Sequence, residues 1–134
     1  GSAATIRSGA TDCVFRNNYC DINQRVVTVD GASKVTVSTS VSRESGIPER
    51  NALIANGANR RELSEIVLKN AKNVQIIGFV SAVWGYDTAK ELGMIELQGS
   101  NEDILVKDCI FAKLFAASSG TFGSRSKETN NFLY

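Results

Sequence analysis

Apolar and polar residues alternate in four segments of the chain, and these segments can be laid over one another. They are residues 4–15, 27–37, 66–76 and 95–106. Each holds two apolar-x-apolar stretches joined by a short polar bend, and alternation with period two is typical of strands with one buried face. Gly31, Asn70 and Gly99 share one position in the bend, with Gly9 displaced by one residue. Because Gly and Asn tolerate left-handed backbone angles, the pattern predicts pairs of short strands joined by tight bends.

The spacing of the segments predicts how the strands stack. Equivalent positions of the second strands are separated by 22, 39 and 30 residues. A period of 22 residues with insertions of about 17 and 8 residues is typical of a solenoid, in which the strands of each coil pair with those of the next. Equivalent apolar residues of successive coils then stack on one another, and these stacks, called ladders here, form the core. The expected ladders are Cys13, Val35, Val74 and Ile104, and Phe15, Val37, Ile76 and Val106. The predicted fold class is therefore all-β, a parallel β-helix of about four coils with two loop insertions.

The same register directs four apolar side chains away from the core. They are Val14, Val67, Ile77 and Leu105. Single exposed apolar residues are common, but four on so small a solenoid predict a surface covered by another chain.

Length and charge restrict the possible functions. The 134 residues predict one domain, and 15 basic against 14 acidic residues argue against a nucleic-acid partner. The chain has no histidine, which excludes a histidine triad and a histidine-ligated zinc. Its three cysteines form no C-x-x-C pair, so neither a disulfide framework nor a zinc ribbon is indicated. No metal and no cofactor is expected. No apolar run reaches the roughly 18 residues of a membrane helix, so membrane insertion is not expected.

The ends of the chain lack the repeat. Residues 1–2 resemble a cloning scar, so the single domain 1–134 is expected to be a fragment of a larger protein. Residues 114–134 are polar, and we expect them to form an irregular tail or a cap.

The two insertions leave the same corner of consecutive coils. They comprise residues 42–63 and 81–93, and both follow the third apolar stretch of their coil. The two loops are therefore expected to lie side by side, and loops on a rigid scaffold are where binding usually occurs.

The insertions carry the candidate ligand-binding residues. Trp84 and Tyr86 offer a flat platform for a sugar ring, and Asp87 can bind its hydroxyls. Arg60 and Arg61 suit an acidic polysaccharide. The alternative is that Trp84 packs the loop against the coil and that the arginines are simply solvated.

Candidate catalytic residues are fewer. Glycoside hydrolysis needs two carboxylates facing one groove. The candidates are Glu96 on an outward strand position, Asp87 and Glu49, but the coil neighbour of Glu96 is Val67. The sequence therefore favours a protein that is not an enzyme by itself.

Residues 15–20 and 73–76 resemble coils of the right-handed parallel β-helix family, which includes pectate lyases, polysaccharide hydrolases and bacteriophage tailspikes. The resemblance implies a structural and host-recognition segment of a tailspike or tail fibre. Such a segment would be a homotrimer in the virion tail, assembled in the host cytoplasm, that binds bacterial surface polysaccharide. The alternative is a fragment of an extracellular polysaccharide lyase or glycoside hydrolase.

Overall fold

The structure is a computed structural model that describes residues 2–21, 25–43, 63–82, 92–116 and 120–134. These ranges contain fourteen strands and no helix. In chain order the strands are β1 (Ser2–Arg7), β2 (Thr11–Arg16), β3 (Tyr19–Asp21), β4 (Arg25–Asp30), β5 (Ser33–Ser38), β6 (Val41–Arg43), β7 (Ile66–Lys69), β8 (Lys72–Ile77), β9 (Val80–Ala82), β10 (Ile95–Gln98), β11 (Glu102–Lys107), β12 (Ile110–Phe111), β13 (Lys127–Thr129) and β14 (Phe132–Leu133).

The strands form three sheets in which every pairing is parallel. The first sheet has the order β1-β4-β7-β10, the second β2-β5-β8-β11-β13, and the third β3-β6-β9-β12-β14. The chain visits the three sheets in turn and then begins again one layer further along. This arrangement is a parallel β-solenoid, and it confirms the prediction of an all-β fold of stacked strands.

The two predicted ladders are confirmed residue by residue. Cys13 pairs with Val35, Val35 with Val74, and Val74 with Ile104. The second ladder, which begins at Phe15, runs in the same register and lies two residues further along each strand. All members after the first layer are buried, whereas Cys13 and Phe15 are only partly covered. The alternation of the strands thus places one continuous apolar column inside the second sheet.

Left-handed residues recur at fixed places in each layer. Gly31, Asn70 and Gly99 have φ values of 71°, 48° and 64°, as their position in the bend predicted. A further set at the start of the second-sheet strands was not predicted, and its members are Asp12, Lys34, Asn73, Asp103 and Arg125, with φ between 52° and 60°. Lysine and arginine are not residue types that favour this conformation, so composition does not reveal the position.

Residues 114–134, expected to form an irregular tail or a cap, contain two short strands at the last end of the solenoid. Strand β13 pairs with β11, and β14 pairs with β12, so the repeat continues into a further layer. The apolar alternation that predicted the earlier strands is absent from this layer, because its ladder positions are polar. Glu128 stands next to Val106, and the Ser126 hydroxyl accepts a hydrogen bond from the Ile104 amide at 3.0 Å.

Candidate functional site

The strands that flank the two insertions are neighbours in the solenoid. In the third sheet β6 pairs with β9, with Arg43 opposite Ala82. In the first sheet β7 pairs with β10, with Ile66 opposite Ile95. The chain therefore leaves the third sheet from two neighbouring strands, β6 and β9, and enters the first sheet at two neighbouring strands, β7 and β10. Both passages lie at the corner between these two sheets.

Only one of the predicted site residues lies in the described part of the chain. Those outside it are Glu49, Arg60, Arg61, Trp84, Tyr86 and Asp87. Glu96 lies on β10 at an outward position of the first sheet, next to this corner.

The Glu96 carboxylate is held by two neighbouring side chains. Arg25 Nη1 lies 2.9 Å from Glu96 Oε2, and the Gln98 amide donates to Glu96 Oε1 at 2.7 Å. Arg25 Nη1 also donates to the Ser64 carbonyl at 3.3 Å. The Arg25 and Glu96 side chains are only 21% and 25% exposed, so solvent screens this ion pair less than a pair at the open surface.

Arg25 was not among the predicted site residues. It lies 71 residues from Glu96 in the chain and two strands away in the sheet, so no local pattern links them. The stacking of β4, β7 and β10 alone brings the two charges together.

One expectation about the outward apolar residues is corrected. Val67 was expected to be an exposed outward apolar residue, but it is only 4% exposed. Its outward position is confirmed, because it pairs with Thr28 on one side and Glu96 on the other. The ion pair joins β4 to β10 and so crosses β7, the strand that carries Val67.

The strand neighbours of Glu96 bring no second carboxylate beside it. Both Glu96 carboxylate oxygens already accept hydrogen bonds, and the register partners Thr28 and Val67 supply no second carboxylate. Within the described ranges no group of three or more His, Cys, Asp or Glu residues is placed to hold a metal ion.

Polar side chains are concentrated inside the same corner. Ser42 and Ser81 are fully buried and pair with each other, and Cys20 precedes them in the column. Among the described residues, the buried hydroxyls of Ser42 and Ser64 have no hydrogen-bond partner, which is uncommon in protein interiors. No pattern in the sequence pointed to this polar column.

The thiol in this corner is poorly suited to nucleophilic chemistry. Burial, and then the negative charge of Glu65, raise the pKa of Cys20 above its ordinary value of 9.0. The thiolate is the reactive form, so a raised pKa lowers the fraction of Cys20 that is thiolate at neutral pH.

A groove of about 370 Å³ lies on the outer face of the second sheet. It crosses β2, β5 and β8, and its polar lining consists of Asp12, Lys34, Thr36, Asn73 and Gln75. The groove is separate from the corner of the insertions, and its residues come from the regular ladders.

The fold defines the class of protein, a parallel β-solenoid. Within the described residues no helix is long and apolar enough to cross a membrane. The chain matches no protein-family model, and neither a curated protein nor a solved structure matches it.

Proposed function

We propose that this chain is a structural and host-recognition segment of a phage tailspike or tail fibre that binds bacterial surface polysaccharide. In this proposal the solenoid is a right-handed β-helix, because crossovers between parallel strands are right-handed in about 98% of cases. It has about four coils, and the short strands β13 and β14 form a further layer at its last end. The observation that carries the proposal is the corner where adjacent strands flank both long insertions, beside the Arg25–Glu96 pair.

The corner has properties that suit a saccharide. Charged and amide groups project from a rigid sheet, and Arg25, Glu96 and Gln98 are already aligned by mutual hydrogen bonds. A ligand that meets fixed donors and acceptors loses less conformational freedom on binding than one that must order them. Trp84 and Tyr86 in the second insertion would supply the apolar platform in this proposal.

A polysaccharide-degrading enzyme fragment is the second candidate. It needs a further carboxylate beside Glu96, and Asp87 and Glu49 in the insertions are the candidates for that role. The engagement of both Glu96 oxygens favours binding over catalysis.

The binding proposal is tested by calorimetric titration of the full chain with a panel of bacterial capsular and lipopolysaccharide glycans. Trp84→Ala is expected to weaken glycan binding at least about tenfold, or about 1.4 kcal/mol, with an unchanged circular dichroism spectrum. Tyr19→Ala, which removes an exposed aromatic ring on β3, is the matched control and should bind normally. A lowered melting temperature with intact binding would instead assign Trp84 to packing. Release of new reducing ends or unsaturated sugars would favour the enzyme.

The proposed assembly is a trimer of parallel chains in contact along their sides. Val14 is 60% exposed, and Ile77 and Leu105 are partly buried in the single chain, so all three have surface left to cover. Val67 no longer belongs to this surface, because the single chain already buries it.

Leu105→Asp is expected to dissociate the trimer to monomers, because the trimer would bury an unpaired carboxylate. Sedimentation equilibrium measures the mass against the 14.4 kDa chain. Ile110→Asp on the third sheet is the control, since Ile110 lies on another face. Wild-type protein that sediments as a monomer at micromolar concentration would contradict the proposed trimer.

A further inference from the structure

Three rows of side chains run along the outer face of the second sheet, and each layer contributes one residue to each row. The first, called the left-handed row here, consists of the exposed positive-φ residues Asp12, Lys34, Asn73, Asp103 and Arg125. The central row consists of Val14, Thr36, Gln75, Leu105 and Lys127. The far row, two residues further along each strand, consists of Arg16, Ser38, Ile77, Lys107 and Thr129.

Two layers carry opposite charges in their outer rows. The layer of β2 has Asp12 in the left-handed row and Arg16 in the far row, and the layer of β11 has Asp103 and Lys107. Each pair is separated by four residues of one strand, or about 13 Å, which is too far for an ion pair within the chain. Among the described residues Asp12, Arg16 and Asp103 form no ion pair, and Lys107 Nζ lies 4.0 Å from Asp108 Oδ2. The charges are therefore available to another chain.

The outer rows meet when parallel copies of the chain surround a common axis. Val14, Ile77 and Leu105, which the proposed trimer covers, all belong to this face, so the second sheet faces the axis of that trimer. The left-handed row of one chain then lies against the far row of the next chain. Closed cyclic symmetry holds all copies at the same height, so residues of the same layer meet. Both acidic residues of the left-handed row thus face a basic residue of the next chain.

Other registers lack this match. A shift of one layer, about 4.8 Å, in one direction places Lys34 against Arg16 and Arg125 against Lys107, which are two contacts between like charges. The opposite shift forms no pair of opposite charges. Lys127 of the central row brings like charges towards the axis, but its long stem lets the ammonium group remain in water. Charge complementarity therefore selects the register that closed symmetry requires.

The groove on this face has the right place for the contact. Its volume is about 370 Å³, and its polar lining comes from the left-handed and central rows of β2, β5 and β8. In the same arrangement the far row of the next chain stands over the groove, so Arg16, Ser38 and Ile77 of that chain can enter it. A second copy of the chain thus fills the groove and covers the remaining surface of Ile77.

We propose that the second sheet faces the three-fold axis, with Asp12 and Asp103 of each chain paired with Arg16 and Lys107 of the next chain. This inference rests on the proposed trimer and names the contact that sets its register. The contact uses the side of the solenoid and depends on neither end.

Disulfide trapping tests the register. Asp103→Cys with Lys107→Cys, in the full chain carrying Cys13→Ser, places thiols of neighbouring chains within reach of each other. Oxidation with copper phenanthroline is expected to give a band of three linked chains on a non-reducing denaturing gel. Asp103→Cys with Thr129→Cys, one layer away, is the matched control and should link much more slowly.

Charge reversal tests the ion pairs by sedimentation equilibrium. Asp12→Arg is expected to raise trimer dissociation at least about tenfold at low salt, because each trimer contains the pair three times, and less at high salt. Arg125 shows that arginine fits this left-handed position. Asp12→Arg with Arg16→Asp restores opposite charges and should recover the wild-type mass. Lys34→Asp is the control, because Lys34 faces the uncharged Ser38 in the proposed register.

The outcomes separate this contact from the trimer itself. Wild-type trimers in which the Asp103→Cys, Lys107→Cys variant gives only single chains would overturn the proposed contact and leave the trimer standing. The same holds if Asp12→Arg dissociates no more than Lys34→Asp. A wild-type protein that sediments as a monomer would overturn both proposals.

Discussion

Phe79→Ala is expected to lower the free energy of unfolding by about 3–5 kcal/mol. Phe79 is fully buried and is the largest such side chain in the described part of the protein. It precedes β9, and the hydrogen bonds of the adjoining amides place it between Ser40 and Cys109 in one column. Both column neighbours are small, so they cannot move in to fill the space that the ring leaves. Equilibrium unfolding in guanidinium measures the loss.

Ile110→Ala is the comparison for this prediction. Ile110 lies on the outer side of the same sheet and is 39% exposed, so its truncation should cost at most about 1 kcal/mol. Equal losses in the two variants would show that the third sheet does not bury Phe79 as its column position requires.

Asn101→Ala is expected to cost about 3 kcal/mol or more, because each buried group left without a hydrogen bond costs roughly 1–3 kcal/mol. Asn101 is buried, and its Oδ1 accepts from the Ala71 amide at 3.0 Å. Its Nδ2 donates to the Thr121 carbonyl at 2.9 Å and to the Leu68 carbonyl at 3.3 Å. One side chain thus joins its own layer to the layers before and after it.

The measurement for Asn101 is again chemical unfolding, with Ser100→Ala as control. Ser100 is the exposed neighbour in the chain, and its change should stay within about 0.5 kcal/mol. A loss below 1 kcal/mol for Asn101→Ala would mean that water replaces the side chain between the layers.

Much of the fold was predictable because its signals are local. Alternation along Val27–Val29 and Val35–Val37 identifies which side of each strand is buried, and the shared position of the bend within each segment sets the register. In a solenoid the register of one layer repeats in the next, so a correct pair such as Val35 and Val74 determines its neighbours.

The last layer, which contains β13 and β14, was not predicted from the sequence. Its ladder position holds Glu128 where earlier layers hold valine or isoleucine, so the alternation that identifies a strand is absent. Backbone hydrogen bonds to β11 hold β13 in place without an apolar side chain at this position. Backbone pairing of this kind does not require an alternating apolar pattern, so the sequence does not predict it.

The candidate site was less predictable than the fold. Glu96 was identified as an outward carboxylate, but Arg25, which determines its chemistry, lies two strands away. The burial of Val67 was hidden in the same way, because a side chain at an outward position is covered or open according to what crosses it.

The sequence by itself determined the all-β class, the parallel stacking and the two inward ladders, because hydrophobic period and spacing specify which residues face one another along the axis. The tertiary structure alone decided the Arg25–Glu96 pair and the polar column of Cys20, Ser42 and Ser81. These features depend on contacts between layers, where the partner of each side chain is chosen by position in space and not by distance along the chain.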